Sequence, residues 1–484
     1  MNYRKICNII GRIFWVEAAF MLPPLGIAVY RGEHASVRGF LIAIALLAVL
    51  GMAGVFLLRP RRDSFYARDG LMTVGLAWIL VSFMGGLPFF FSGSIPSLVD
   101  CFFETVSGFT TTGASILPAA EDMPLSDMYW RCFTIWLGGM GVLVFVLAVS
   151  PKKGSATAGD EIHLLRAESP GVTVDKLVPR MRQSATILYT IYIALTILQV
   201  IFLLSGGMSL YEALVATYAT AGTGGFGMMN DSFASYSPYI QVVVTVFMLL
   251  FAVNFNVYFL LLIREFRKAL CNQELIAYLG IVAASIAVIT WNISHMFPTL
   301  AESLRHAAFQ VASIISTTGF MSTDFDLWPE LSRTILILLM FVGACAGSTG
   351  GGLKVIRVVI LAKAIRRAVL QAVRPNSVRI IRVDGAVVDE DTVRGTLNYF
   401  AVFMAIQFLS VLLVSIDNFD FVTNFTAVAT CFNNVGPGLG GVGPTRNFAA
   451  YSDFSKLLLS ANMLLGRLEL YPILAIFVPS TYKK

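Results

Sequence analysis

Four short stretches of this 484-residue chain carry hydroxyl or amide side chains up to a glycine: Thr111-Thr112-Gly113, Thr223-Gly224-Gly225, Thr317-Thr318-Gly319 and Asn434-Val435-Gly436. Glycine reaches dihedrals that turn successive carbonyls to one side, which a residue with a Cβ resists. Thr and Asn can brace such a turn from behind or add oxygens of their own. All the oxygens on offer are neutral. A ring of them would replace the hydration shell of a monovalent cation, whereas Ca²⁺ or Mg²⁺ would call for carboxylates. One such glycine could simply end a short helix or permit close packing. Four in equivalent places point to a pore.

Each stretch follows an apolar segment too short to cross a bilayer, set between two longer ones. The spacing supports their equivalence: Phe103-Glu104-x-x-Ser107 stands before Gly113 as Phe309-Gln310-x-x-Ser313 stands before Gly319. Tyr218-Ala219-Thr220 precedes Gly225-Phe226, and Thr426 to Phe432 precedes Gly436-Pro437. The second stretch carries extra glycines at 222 and 224; Gly225 is chosen because Phe226 follows it as Phe320 follows Gly319. Segments that enter, turn and leave on one side put non-helical backbone at membrane depth, which is tolerated only where protein buries it or water reaches it.

The rest of the chain reads as the membrane scaffold for these turns. Hydrophobic residues make up 57% and charged residues 13%, the mean hydropathy is +0.75, and soluble domains carry roughly 25% charged residues. Runs near the span length of about 20 residues are proposed at 6–30, 39–58, 70–92, 128–150, 184–205, 238–263, 274–294, 331–345 with its continuation, 396–416 and 455–479, ten in all. Arg4-Lys5 ahead of the first run imitates a secretory leader, but Arg12 and Glu17 interrupt it, so it is read as a helix bent at Pro23-Pro24. Basic clusters at Arg4 to Arg12, Arg59 to Arg68, Lys152 to Arg182, Arg264 to Lys268, Lys354 to Arg382 and Lys483-Lys484 mark the cytoplasmic side. Alternate loops hold Asp100, Glu121, Asp122, Asp127, Asp231, Glu302, Asp324, Asp326, Glu330, Asp417 and Asp420, which predicts an acidic outer vestibule that concentrates cations. The net charge of +6 sums these two faces and gives no reason to expect a nucleic-acid partner.

The six cysteines have no paired spacing, so neither a disulfide framework nor a thiolate metal site is expected. His34, His163, His295 and His306 form no cluster with Cys or carboxylates, and neither a nucleophile elbow nor paired carboxylates occur. The chain is read as not an enzyme and as needing no organic cofactor.

Four motifs then carry a resemblance. They are Phe102-Phe103-Glu104-x-x-Ser107-Gly108-Phe109-Thr110-Thr111-Thr112-Gly113-Ala114, Gly343-x-Cys345-Ala346-Gly347-Ser348-Thr349-Gly350-Gly351-Gly352-Leu353-Lys354, Asn433-Asn434-Val435-Gly436-Pro437-Gly438-Leu439-Gly440 and Asn462-Met463-Leu464-x-Gly466-Arg467-Leu468-Glu469. With them the chain resembles, over nearly its whole length, the Trk/Ktr/HKT superfamily of potassium uptake proteins in its bacterial TrkH-type branch. The resemblance implies an all-α polytopic protein of the inner membrane. An N-terminal two-helix hairpin (1–62) would precede four pseudo-symmetric helix/pore-loop/helix repeats (63–160, 161–270, 271–385 and 386–484), the third with a broken inner helix. It further implies a homodimer with one K⁺ pore per protomer, Rb⁺ or Na⁺ as further permeants, surrounding lipid, and a cytosolic ring of TrkA-type nucleotide-binding subunits docked on the basic inner loops. The filter glycines by position are Gly113, Gly225, Gly319 and Gly436.

Two features remain for control of the pore. The run Gly343 to Gly352 interrupts an apolar helix with residues that cost about 1 kcal/mol per glycine. A kink for packing is the plain reading; the resemblance makes Gly347, Ser348, Thr349, Gly350, Gly351 and Gly352 an intramembrane gating loop. It is not a phosphate loop, because Leu353 stands where Lys is required. Arg467 sits inside the last apolar run, where an ionised side chain needs water or a partner. The resemblance puts it in the ion path below the filter; an internal pair with Glu469 or Glu17 is the structural alternative. Gated K⁺ entry is therefore expected. Ion-coupled secondary transport is the alternative, and for a midplane coupling site it would have only Glu17, Glu104, Arg467 and Glu469 to use.

Overall fold

The structure, a computed structural model, describes residues 1–57, 66–141, 181–377, 379–479 and 482. His163, the basic loops around Arg59 and Lys152, and the far end of the proposed span 128–150 lie outside the described residues. Helices α1 (Tyr3–Phe20), α2 (Leu22–Arg31) and α3 (His34–Met52) come first. Pro23 and Pro24 fall in the first turn of α2, where a missing N–H is tolerated, and α1 and α2 are separated only by Met21 within one span, Tyr3–Arg31. Then follow α4 (Ala67–Ser92), α5 (Leu98–Phe109), α6 (Leu125–Gly139), α7 (Met181–Ser205), α8 (Leu210–Ala221), α9 (Pro238–Phe251), α10 (Phe255–Leu262) and α11 (Phe266–Leu270). The second half holds α12 (Gln273–Ile293), α13 (Leu300–Ile315), α14 (Glu330–Val342), α15 (Val355–Val373), α16 (Glu390–Val414), α17 (Phe421–Asn433), α18 (Asp453–Arg467) and α19 (Tyr471–Phe477).

Helix is not quite universal. Strands β1 (Arg382–Val383) and β2 (Ala386–Val387) pair antiparallel across Asp384-Gly385, both at positive φ. Asp-Gly is the dipeptide that a tight hairpin turn requires, and the all-α expectation is amended by this one hairpin.

Six of the described helices are long and apolar enough to cross a membrane, and α9 with α10, bent by 88°, would make a seventh. Ten spans were expected from the sequence. The difference lies in the helices that follow the short ones: α6, α9, α14 and α18 stop after 15, 14, 13 and 15 residues, roughly 20–22 Å of helix against a hydrocarbon core of about 30 Å. A single interruption, after α14, was anticipated. The structure breaks the chain after α9 and α18 as well, restarting it at Phe255 and Tyr471. Asn254 ends the first of these breaks by accepting from Asn256 N at 2.9 Å; Glu469 and Leu470 turn the second at positive φ.

The long helices α4, α7, α12 and α16 lie around the short ones. They expose apolar side chains outward, among them Ile197, Ile201, Leu279, Phe408 and Leu412, a surface that only lipid or another apolar partner would cover. Fully buried aromatics, including Phe103, Phe109, Phe309 and Phe320, fill the centre. Helix α6 begins at Pro124 with no side-chain cap of its own. Glu33, from the turn between α2 and α3, supplies one: its carboxylate accepts from Leu125 N and Ser126 N, both at 3.1 Å. Glu33→Ala should therefore lower the thermal midpoint of the detergent-solubilised protein, by the equivalent of about 1–2 kcal/mol, with Glu33→Gln falling between.

Candidate functional site

The short helices α5, α8, α13 and α17 start alike and end alike. Ser97, Ser209, Thr299 and Asp420 cap their N-termini by accepting from the N–H of Asp100, Glu212, Glu302 and Thr423. At the other end Thr111, Thr223, Thr317 and Asn434 take left-handed φ values of 55°, 58°, 59° and 55°. That conformation costs a residue with a Cβ about 1–2 kcal/mol. It is held because the next residue's N–H reaches back five positions: Thr112 to Ser107 O (2.8 Å), Gly224 to Ala219 O (2.9 Å), Thr318 to Ser313 O (2.8 Å) and Val435 to Thr430 O (2.9 Å). This is the hydrogen bond of a Schellman-type C-cap, repeated four times.

Two residues after each left-handed turn comes a glycine, again at positive φ: Gly113, Gly225, Gly319 and Gly436. A Cβ on Gly113 would lie 2.1 Å from Gly224 O, on Gly225 2.1 Å from Thr318 O, on Gly319 2.0 Å from Val435 O and on Gly436 2.8 Å from Thr112 O. The contacts run from first stretch to second, second to third, third to fourth and fourth back to first. They close a ring.

All four glycines line one cavity of about 110 Å³. The second stretch contributes Gly225 to it, while Gly224 contributes the neighbouring carbonyl. Polar side chains brace the ring from outside. Thr112 Oγ1 lies 2.8 Å from Thr110 Oγ1 and accepts from Asn434 Nδ2 at 2.9 Å, and Thr318 Oγ1 lies 2.7 Å from Ser316 Oγ. Thr317 Oγ1 accepts from Gly351 N at 2.7 Å. Thr223 Oγ1 donates to Gly222 O at 2.6 Å, Thr111 Oγ1 is buried without a hydrogen-bond partner among the described residues, and Val435 contributes backbone alone. Four helix C-termini bring their partial negative charge toward this place, which favours a cation.

The chain that builds this ring is similar to known proteins over its whole length. A family model for TrkH, described as a cation transport protein, matches residues 36–280 and 270–483. The chain belongs to the TrkH family. It is 32% identical to the Trk system potassium uptake protein TrkH of Salmonella typhimurium over 494 residues, covering 100% of both chains. It is 29% identical to the Trk system potassium uptake protein TrkG of Escherichia coli K12, covering 98% of each. The crystal structure of the potassium transporter TrkH from Vibrio parahaemolyticus superimposes with a TM-score of 0.88 at 29% identity, covering 100% of both. This is a family of multi-pass inner-membrane transport proteins, not of enzymes.

The acids that the sequence places on the outer face of this TrkH-family chain do not line the cavity beside the ring. None of the cavity-lining residues is Asp or Glu; Arg131 and Arg446 are the charged ones. Several of these acids have structural partners. Asp100 accepts from Lys456 Nζ at 2.6 Å, Glu121 from Asn230 N at 2.6 Å, and Asp326 from Arg333 at 2.9 Å and Gly440 N at 3.1 Å. Arg131 is 3% exposed. It pairs with Glu104 at 2.7 Å, lies 3.6 Å over the Phe226 ring and donates to Ser115 Oγ and Gly227 O. The pair thereby ties the residues just after Gly113 to those just after Gly225. Sequence reasoning passed over Arg131, though the intramembrane-charge rule applied to Arg467 would have found it.

On the other side of the ring lies the run from Gly343 to Lys354. A Cβ on Gly350 would meet Ser316 O at 2.7 Å, and one on Gly351 would meet Asn433 O at 2.4 Å. Phe255 N donates to Gly347 O at 3.1 Å, and Thr349 Oγ1 to Phe251 O at 3.2 Å. Ser348 Oγ turns back onto Cys345 O at 2.6 Å, and Gly352 takes a φ of 78°. Arg467 donates to Thr349 O at 2.7 Å and to Gly138 O and Gly139 O at 2.5 and 2.6 Å. Glu469, weighed as a partner for Arg467, is instead paired with Arg357, which stacks 4.1 Å from the Tyr399 ring. Glu274, unremarked in the sequence at the start of an apolar run, holds Ala346 N at 2.6 Å.

The ring makes a sharp contrast testable. Gly207 has a φ of +89° with nothing within 4 Å of a Cβ, whereas a Cβ on Gly319 meets both strain and the Val435 carbonyl. Gly319→Ala should abolish cation flux in liposomes, while Gly207→Ala, costing about 1 kcal/mol in backbone strain, should leave flux near wild type.

Proposed function

We propose that the chain admits K⁺ to the cytoplasm down its electrochemical gradient, through a gated pore within each protomer. The observation that carries this reading is the closed ring of four glycines packed on four neighbouring carbonyls. A cation leaving water must have its hydration shell replaced at a fixed radius, and backbone oxygens locked between neighbouring turns offer that. In this reading the filter is built by Thr111-Thr112-Gly113, Thr223-Gly224-Gly225, Thr317-Thr318-Gly319 and Asn434-Val435-Gly436. They come from four pseudo-symmetric repeats, 63–160, 161–270, 271–385 and 386–484, behind an N-terminal hairpin, 1–62. The potassium uptake named for the relatives agrees with a filter of neutral oxygens.

The loop Gly347 to Gly352 acts as the gate. Supporting this, it lies against the backbone of the third and fourth stretches at Ser316 and Asn433, is bonded to the break between α9 and α10, and is joined by Arg467 to Gly138 and Gly139 at the end of α6. The guanidinium adds a positive charge where a cation would leave. A homodimer in lipid, regulated by a cytosolic TrkA-type nucleotide-binding ring on the basic inner loops, completes the proposal, with Rb⁺ and, less well, Na⁺ as permeants.

Ion coupling is the second reading, and one observation favours it: both carboxylate oxygens of Glu17 are buried without a hydrogen-bond partner among the described residues. Glu104 and Glu469 are committed to Arg131 and Arg357.

Flux of K⁺, Rb⁺, Na⁺ and Li⁺ into liposomes separates the two. The channel reading expects K⁺ and Rb⁺ entry on their own gradients, weaker discrimination against Na⁺ in Gly113→Ser, and faster flux on deletion within Gly347 to Gly352. Entry only under an imposed proton or Na⁺ gradient, lost in Glu17→Gln, would establish coupling instead.

A further inference from the structure

Glu274 lies in the first turn of α12 and is 3% exposed. Its Oε1 accepts from Ala346 N at 2.6 Å and from Ile356 N at 3.2 Å. Its Oε2 accepts from Asn254 Nδ2 at 3.4 Å. Ala346 and Ile356 are the two stems of the interruption between α14 and α15, ten residues apart in sequence and brought to one oxygen. Lys354, at the N-cap of α15, makes no side-chain cap, so the first N–H groups of that 19-residue helix find an acceptor from another element. An anion at a helix N-terminus is stabilised by the helix dipole, and its hydrogen bonds to N–H groups are of the stronger, charge-assisted kind. Asn254 adds the break between α9 and α10, where Phe255 N holds Gly347 O. Cys345, directly before the first stem, donates its N–H to Ala252 O at 3.1 Å and is 1% exposed.

We propose that Glu274 is the positioning residue that latches the loop beneath the ring, clasping both of its stems to the adjoining inner-helix break. This rests on the gating reading above. The loop cannot swing without parting its stems from the carboxylate, which would leave a buried acceptor and two buried donors unpaired, a costly state. Opening therefore requires a force on α12, α15 or the α9 break, and the hairpin β1–β2 sits against the same end: Asp384 accepts from Gln273 N at 2.6 Å and Asn272 Nδ2 at 3.0 Å.

The test uses the full chain in liposomes without any cytosolic partner. Glu274→Gln keeps one acceptor oxygen but turns an amide donor toward the loop's own donors; Glu274→Asp keeps the charge one methylene short. Rb⁺ uptake is measured beside maleimide modification of Cys345, located by peptide mapping. The expected result is uptake and Cys345 modification both rising about tenfold or more in Glu274→Gln, with a smaller rise in Glu274→Asp. Wild-type uptake with Cys345 still protected in both variants overturns the proposal. So does loss of uptake with Cys345 exposed, which would make Glu274 a scaffold for conduction. If deletion within Gly347 to Gly352 leaves uptake unchanged, the gating reading fails, and Cys345 protection alone then decides whether Glu274 holds the loop.

Discussion

The whole structure depends on four backbone carbonyls pressed against four glycine faces. Each contact is too close for a Cβ, so no ring member can move outward or inward without its neighbour. Four left-handed turns set the ring, and each is paid for by a hydrogen bond back to its own short helix. The side chains that the sequence marks as oxygen donors mostly serve this bracing. Thr112, Thr317, Thr318 and Asn434 satisfy one another or adjacent backbone, leaving main-chain oxygens as the groups that converge.

A ring at membrane depth demands that the helices around it stop there, and stopping leaves unpaired backbone groups where water is scarce. This chain meets the demand with charged side chains borrowed from other elements. Glu33 caps the start of α6, and Arg467 binds the carbonyls at its end, where a cation complements the helix dipole. Glu274 caps α15. The ionised groups rarest in an apolar sequence are thus the ones that make broken helices tolerable, and two of them, Arg467 and Glu274, hold the segment beneath the ring. The atoms that cap these helices also hold that segment in place.

Charge outside the ring follows another logic. Several outer carboxylates are engaged in caps and ion pairs while Asp122 stays exposed, and Arg131 at the cavity wall is paired with Glu104. Inside the cavity, which no carboxylate lines, the oriented dipoles built into the turns favour a cation.

Much of this was legible in the sequence for a simple reason. Hydroxyl-rich approaches to glycine, written four times at matching offsets, encode local backbone conformation, and Thr111, Thr223, Thr317 and Asn434 adopt the same turn because neighbouring residues alone dictate it. The same holds for the interruption at Gly343 to Gly352 and for the family motifs. Span number was not legible, because a run such as 238–263 is apolar enough to read as one span, and its break at Ala252 to Asn254 answers to Cys345 and Gly347 packed against it. Nor were the partners of charges: Arg131 with Glu104, Arg357 with Glu469 and Glu274 with Ala346 and Ile356 join residues 27 to 112 positions apart. The amino-acid order by itself determined membrane residence, four equivalent turns and neutral-oxygen chemistry, all of which arise from composition and short-range sterics. Only tertiary structure decided which glycine of the second stretch joins the ring, which carbonyl closes on it and which buried charge caps which helix, because those choices depend on the packing of distant segments around a common centre.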